Sequence, residues 1–219
     1  MVGAFGSPIL IQNGESDELV MSFPQQLRAF APRTGRPLWN CDGVNELVYA
    51  TPIAGEGVAV AMGGYAGTSI AVKLGGHGDV TATHRLWQSV RTKQRIGSGV
   101  IHDGHIYILS TEGIAECIDL RGGKPVWTER VKAPGPKSES WSSMVLAGGH
   151  LYVLNQSGDT VVLKASPKFE VVAVNSLGNE LTNASHAISD GDIFIRTHQN
   201  LWCIGATKAS AAAKPGPKE

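Results

Sequence analysis

The feature that most constrains this chain is a repeat. A pair of small residues followed by an apolar strand recurs at SPILI (Ser7), TPIAG (Thr51), SGVIH (Ser98), SSMVL (Ser142) and SHAIS (Ser185), at intervals of 44, 47, 44 and 43 residues. A Gly-centred turn and an alternating strand then follow in GEGVAVAM, HDGHIYIL, AGGHLYVL and SDGDIFIR. A third strand reads as LRAFA, IAVKL, AECIDL, VVLKA and LWCIG, and a fourth as PLWNC, HRLWQS, PVWTER and VVAVNS. The last unit stops after its third strand. Four short antiparallel strands per unit cannot bury both faces alone, and stacking such units side by side builds a β-propeller. The apolar alternation of these strands suits sheets covered on both faces by neighbouring blades. No segment carries the i, i+3, i+4, i+7 stripe of an amphipathic helix.

The chain is therefore expected to be all-β, with four complete four-stranded blades and a three-stranded fifth. The predicted propeller covers 1–205, with blades near 7–42, 51–90, 98–131, 142–176 and 185–205. The Ala-, Lys- and Pro-rich end at 206–219 is expected to be a disordered tail. The eleven-residue sentence AFAPRTGRPLW has a second copy in CIDLRGGKPVW, at the turn from the third to the fourth strand. Gly35, and Gly122 or Gly123, can take the left-handed conformation such a turn needs. Pro37 and Pro125 fall where an outermost strand begins, where a sheet tolerates proline. Trp39, Trp87 and Trp127 recur in the fourth strands and are expected to pack between adjacent blades.

The repeat of LRAFAPRTGRPLW and AECIDLRGGKPVW resembles the A-x-D-x-x-T-G-x-x-x-W pattern of the pyrroloquinoline-quinone (PQQ)-like propellers. That family includes quinoprotein alcohol dehydrogenases and the propeller lipoprotein of the bacterial β-barrel assembly machinery. The resemblance runs from Ser7 to Gly205 and implies fold more than activity, because its residues are structural. Such propellers usually close with seven or eight blades. The chain thus resembles the C-terminal part of a longer propeller, or an unusual five-bladed ring for which only MVGAF is available as a closing strand. The resemblance also implies a bacterial, exported or periplasmic protein, although MVGAFGSPIL lacks the basic and apolar regions of a signal peptide.

In the quinoprotein members, PQQ lies over the propeller axis beside calcium held by acidic and amide side chains, with a vicinal cysteine pair against the ring. This sequence has no adjacent cysteines among its three, Cys41, Cys117 and Cys203, and no cluster matches those ligands. Neither PQQ nor calcium is expected. His105 and His150 occupy one repeat position in two blades, which argues for a structural role. His77, His84, His102 and His198 lack metal-ligand spacing. All three cysteines read as small buried apolar residues without a neighbouring base. Ser98 is a repeat anchor and not part of a G-x-S-x-G elbow.

What remains is the surface. Nineteen basic residues against nineteen acidic ones give no pull towards nucleic acid, and no apolar run is long enough to span a membrane. The loops that gather at one mouth of the propeller carry Tyr65, Arg91, Arg95, Trp141, Asn155, Gln156 and His198. Aromatic, cationic and amide residues of this kind form rims that bind a protein, peptide or glycan. The insertion KLGGHGDVTATHRLW in the second blade is a further candidate contact surface. The expectation is a non-catalytic scaffold. The alternative is an enzyme with an axial site, either a PQQ-dependent oxidoreductase or a hydrolase or lyase. An unclosed ring would also leave sheet edges open to self-association.

Overall fold

A computed structural model describes residues 3–13, 16–65, 67–90 and 93–205; the tail expected at 206–219 lies outside the described residues. Every regular element among these residues is a strand. Blade one contains β2 (Ile9–Asn13), β3 (Ser16–Phe23), β4 (Gln26–Phe30) and β5 (Pro37–Asp42). Blade two contains β7 (Ile53–Gly55), β8 (Val58–Met62), β9 (Thr68–Lys73) and β11 (Arg85–Val90). Blade three runs through β12 (Val100–His102), β13 (His105–Leu109), β14 (Ile114–Asp119) and β15 (Pro125–Arg130). Blade four is β16 (Val145–Ala147), β17 (His150–Leu154), β18 (Asp159–Lys164) and β19 (Val171–Ser176). Blade five has three strands, β20 (Ala187–Ser189), β21 (Asp192–Arg196) and β22 (Leu201–Ile204). Each sheet is an antiparallel meander in chain order, as the repeat predicts.

The turns explain why these segments stop where they do. Glu56–Gly57, Asp103–Gly104, Gly148–Gly149 and Asp190–Gly191 all have positive φ at both positions. That is the turn whose twist matches two antiparallel strands, which is why glycine recurs there. At the third-to-fourth-strand turns, Gly35 and Gly123 both have φ of 69°. Gly122 does not have the left-handed φ; its N–H instead bonds the Asp119 carboxylate. Gly123 is therefore the counterpart of Gly35.

Apolar faces from adjacent sheets merge into three clusters, one at each of the first three junctions. Leu27, Ala29 and Trp39 of blade one meet Ala59, Ile70 and Val72 of blade two. Val58, Val60 and Met62 then meet Ile106, Ile108 and Ile118. Tyr107, Leu109 and Cys117 meet Leu151, Val161 and Leu163. The tryptophans close these junctions with their indole N–H groups. Trp87 donates to the Leu120 carbonyl of the next blade at 2.9 Å, and Trp127 to that of Ser166 at 3.2 Å. Trp39 instead donates to Glu18 of its own blade at 2.7 Å, and Glu18 accepts from the Gly75 N–H of blade two.

A second device repeats at the start of every blade. The backbone N–H of Ser7 donates to the hydroxyl of Thr51, Thr51 to Ser98, Ser98 to Ser143, and Ser143 to Ser185, at 2.8–3.1 Å. The anchor of blade four is therefore Ser143 and not Ser142, which is buried just before it. The residue preceding each anchor must be small because the next blade's backbone passes it. A Cβ on Gly97 would fall 2.0 Å from the Ser142 carbonyl oxygen.

Two expectations change on the periphery. Gly3–Ala4 (β1) pairs in parallel with Leu47–Val48 (β6), so the described part of MVGAF braces the first inter-blade connection and closes no ring. No strand pairing joins the first and fifth blades among the described residues, and blade five leaves Leu201 73% exposed. The described blades thus form an open arc. Within the blade-two insertion, Gly78–Asp79 (β10) adds as a fifth, parallel strand on the outer edge of blade one, and Val80 is buried. This insertion is occupied by its own molecule.

The junction of blades four and five is held by a histidine. His186 is buried, its Nε2 lies 2.9 Å from the Thr160 hydroxyl, its ring packs edge-on to Tyr152, and its Nδ1 has no partner. Burial lowers its pKa to about 4 from the ordinary 6.5. The unfolded chain therefore binds a proton that the folded chain refuses. Stability from neutral His186 is fully present above the unfolded pKa and drains away as pH falls from 6.5 towards 4. We expect a loss of about 2 kcal/mol at pH 5 relative to pH 8. The protection factors of the blade-five amides, measured against the intrinsic exchange rate at each pH, should fall over that window in the native protein and lose this dependence in His186→Gln.

Candidate functional site

At one end of the sheets, each outermost strand hands over to the innermost strand of the next blade, and the second-to-third-strand turns lie alongside. Backbone hydrogen bonds stitch these loops together. Gly64 N–H donates to Leu47, Arg95 to Gly64, Thr111 to Gln94, Ser140 to Thr111, Gln156 to Glu139, Thr182 to Gln156 and His198 to Leu181, at 2.8–3.2 Å. Each connection accepts from one blade's turn and donates to another's. The loops are consequently a continuous belt across the arc, with most main-chain polar groups spent on one another.

The side chains expected at this rim fall into two groups. Tyr65 is 62% exposed and Trp141 47% exposed, both large apolar surfaces facing solvent. The Tyr65 carbonyl is held by the Asn45 amide at 3.1 Å, so the ring projects from a fixed turn. Gln156 lies at the surface and its amide reaches Asn183 at 2.8 Å, and His198 is exposed. Arg91 lies outside the described residues.

Arg95 and Asn155 belong elsewhere. Arg95 is 1% exposed, and its guanidinium forms an ion pair with buried Glu116 on β14 while also donating to the Lys93 carbonyl at 3.0 Å. It is not a rim residue, because the connection carrying it dips between blades two and three. Asn155 is buried; its side-chain oxygen accepts from the N–H groups of Ser157 and Asp159, and its amide donates to Asp159. That amide is consumed in shaping a turn. Among the described residues, no hydrogen bond or ion pair joins the side chains of Tyr65, Trp141, Gln156 and His198. The belt sets them on one surface without making them one cluster.

Residues the sequence reading passed over hold the belt from beneath. Ser140 is buried, donates its hydroxyl to the Leu154 carbonyl and accepts from the Ser142 N–H. Thr182 occupies the corresponding place before blade five, donating to the Arg196 carbonyl and accepting from Ala184. Glu180 collects the Thr197 hydroxyl, the Asn200 amide and the Trp202 indole N–H, and these hydrogen bonds hold its carboxyl below the usual range. The signal was a small hydroxyl residue two positions ahead of the small pair.

The channel between the innermost strands has a volume of about 860 Å³. Its walls are Ile9–Gln12, Thr51–Gly57, Gly99–Ile101 and Met144–Leu146, largely aliphatic with Glu56 as the one carboxylate. Among the described residues, no group of three His, Cys, Asp or Glu side chains could hold a metal ion. Burial pushes the Cys41 and Cys117 thiols up to about 11, the reverse of what a nucleophile needs. Cys203 is exposed, not buried, because it lies on the open side of blade five. His105 and His150 each bond the turn carbonyl two residues earlier.

A family model described as outer membrane protein assembly factor BamB matches residues 24–215. The chain belongs to this PQQ-like propeller family. Solved structures agree on the fold. BamB from Moraxella catarrhalis superposes with a TM-score of 0.68 at 12% identity, over 93% of this chain and 61% of that one. The quinohemoprotein alcohol dehydrogenase ADHIIG from Pseudomonas putida HK5 superposes with a TM-score of 0.65 at 12% identity, over 93% of this chain and 40% of that one. The computationally designed protein Ika8 gives 0.62 at 11% identity, over 89% of this chain and 57% of that one. The chain thus spans about three fifths or less of the length of these structures. A search of curated proteins gave no match.

The fold family raises PQQ and calcium as candidates. The aliphatic channel walls do not supply the acidic and amide set that calcium beside the quinone requires, and the cysteines lie in different blades. The residues present do not fit that group.

Proposed function

We propose that this protein is a non-catalytic scaffold that binds a protein partner through its loop belt. The observation that carries this reading is the division of labour within the belt. Its polar candidates Arg95 and Asn155 are consumed in structure, whereas Tyr65 and Trp141 stand exposed on turns that backbone bonds hold rigid. Rigid exposed aromatics bury large areas at little entropic cost, which is how protein interfaces anchor. A protein suits this surface better than a glycan or short peptide, since the aromatics sit on different blades and the Asn155 amide is not free to bond a sugar. Membership of the BamB family supports a partner within an outer-membrane assembly machinery and an exported, periplasmic location.

Photo-crosslinking amino acids placed at Tyr65 and Trp141 test the reading in cells. Discrete crosslinked polypeptides are expected from both positions and not from exposed Val126 on the outer edge of blade three. Equal labelling from Val126, or none from the belt, would count against it. The alternative, an axial oxidoreductase, hydrolase or lyase, rests on fold likeness to dehydrogenases. It would be favoured by dye reduction that appears on adding PQQ and calcium and disappears when Glu56→Gln is introduced.

A further inference from the structure

The outermost strands of the first four blades differ in how they are closed to further pairing. On blade one, β10 lies parallel to β5; the Val80 N–H donates to the Asn40 carbonyl at 2.9 Å, and the Asp42 N–H to the Thr81 hydroxyl at 3.0 Å. Asn40 and Asp42 therefore turn main-chain groups outward, and an extended segment from another blade satisfies them. Among the described residues no strand pairs with the outer side of β11, β15 or β19. β15 begins with a proline and ends in Glu129 and Arg130, residues of the kind that keep an exposed edge from pairing. β11 begins with Arg85, which reaches back to the Asp42 carbonyl.

β19 has neither device. It reads VVAVNS, with no charge and no proline, and all six residues are exposed. Its geometry is that of β5. Phe30 pairs with Pro37 and Ala29 with Trp39, which leaves Leu38 as a bulge; Leu163 pairs with Val171 and Val162 with Ala173, which leaves Val172 as the bulge. Val174 and Ser176 are thus the counterparts of Asn40 and Asp42 and present their N–H and C=O groups outward. Val171 and Val174 pair with Leu163 and Val161, which pack against blade three. Their side chains stand on that side of the edge, 46% and 44% exposed.

We infer that the outer edge of β19 takes up an extended, uncharged segment of another polypeptide as a fifth, parallel strand, in the way that β10 covers blade one. The main chain supplies the affinity. Val171 and Val174 supply the preference, for β-branched apolar residues at alternate positions of the incoming strand. A charged residue there would lie over the valines and lose hydration without gaining a partner. This edge is on the outer rim and not on the loop belt, so its occupancy does not depend on the belt's partner.

A capped peptide of alternating threonine and valine is the probe, followed by backbone amide NMR of the full chain. Saturable shifts are expected at Val171–Ser176 and their partners on β18, with Tyr65 and Trp141 unmoved. A nitroxide at the peptide's N-terminal end should broaden Val171, and one at its C-terminal end Ser176, which is the mark of parallel addition. Val174→Lys is expected to bind about tenfold more weakly while its thermal melt stays at the native value. The native chain gives a second reading that needs no variant: a peptide methylated on its main-chain nitrogens, unable to donate, should not bind. An unmoved β19, the reverse pattern of broadening, equal binding by Val174→Lys or equal binding of the methylated peptide each overturns the inference. So does a doubled mass of the native chain in light scattering that Val174→Lys abolishes, since the edge would then belong to a second copy.

Discussion

Replacing Arg95 by alanine is expected to destabilise the protein by about 3–5 kcal/mol, the cost of removing one partner of a buried ion pair. Glu116 would keep its place between blades two and three while losing the cation that neutralises it. The strand registers align Glu116 with Ile70 in blade two and Val161 in blade four, since each lies three residues before the strand-three residue opposite the start of strand two. Two blades therefore do without a charge at this position. The double variant Arg95→Met with Glu116→Leu should accordingly recover to within about 1 kcal/mol of the native protein. Urea unfolding of the two single variants and the double measures this directly. A single variant as stable as the native chain would mean that water reaches the pair and that the connection does not bury it.

Trp39→Ala should be nearly as damaging, at about 3–5 kcal/mol, for a different reason. The indole fills the first junction, and its N–H is the donor to a carboxylate that also accepts from blade two. Trp39→Phe separates the two effects. It keeps most of the volume and removes only the donor, so a loss of about 1–3 kcal/mol is expected. The equivalent change at Trp127, which bonds a backbone carbonyl and lies partly exposed, should cost less. Thermal or urea melts rank the three variants. A Trp39→Phe as unstable as Trp39→Ala would show that the hydrogen bond outweighs the packing.

Much of this architecture was legible because the chain states it repeatedly. An anchor, a turn or a Trp that recurs at one place in successive units is hard to misread. The misreadings fall where a blade departs from its siblings. Arg95 looked like a rim residue because connecting loops usually run over the surface, and the sign to the contrary was a charge, Glu116, at a strand position that is Ile70 in blade two and Val161 in blade four. Asn155 precedes Ser157 and Asp159 in a spacing suited to a side-chain-capped turn, but its burial depends on the packing of the belt above it. Between Gly122 and Gly123 the spacing to the next strand gives the answer, since Gly35 and Gly123 each stand two residues before its first proline, Pro37 and Pro125. The strand at Gly78–Asp79 is two residues long and has no periodicity to detect.

That short strand gives the arc a polarity of strength. In a row of blades each unit is supported only by its neighbours, so stability is set junction by junction. The blade-two insertion laces across to the edge of blade one, with the Val80 N–H on the Asn40 carbonyl and the Asp42 N–H on the Thr81 hydroxyl. Among the described residues the first junction thus carries a strap that the junction of blades four and five lacks, where His186 is joined only by the anchor and loop bonds common to every junction. Blades one and two should therefore come apart together and late.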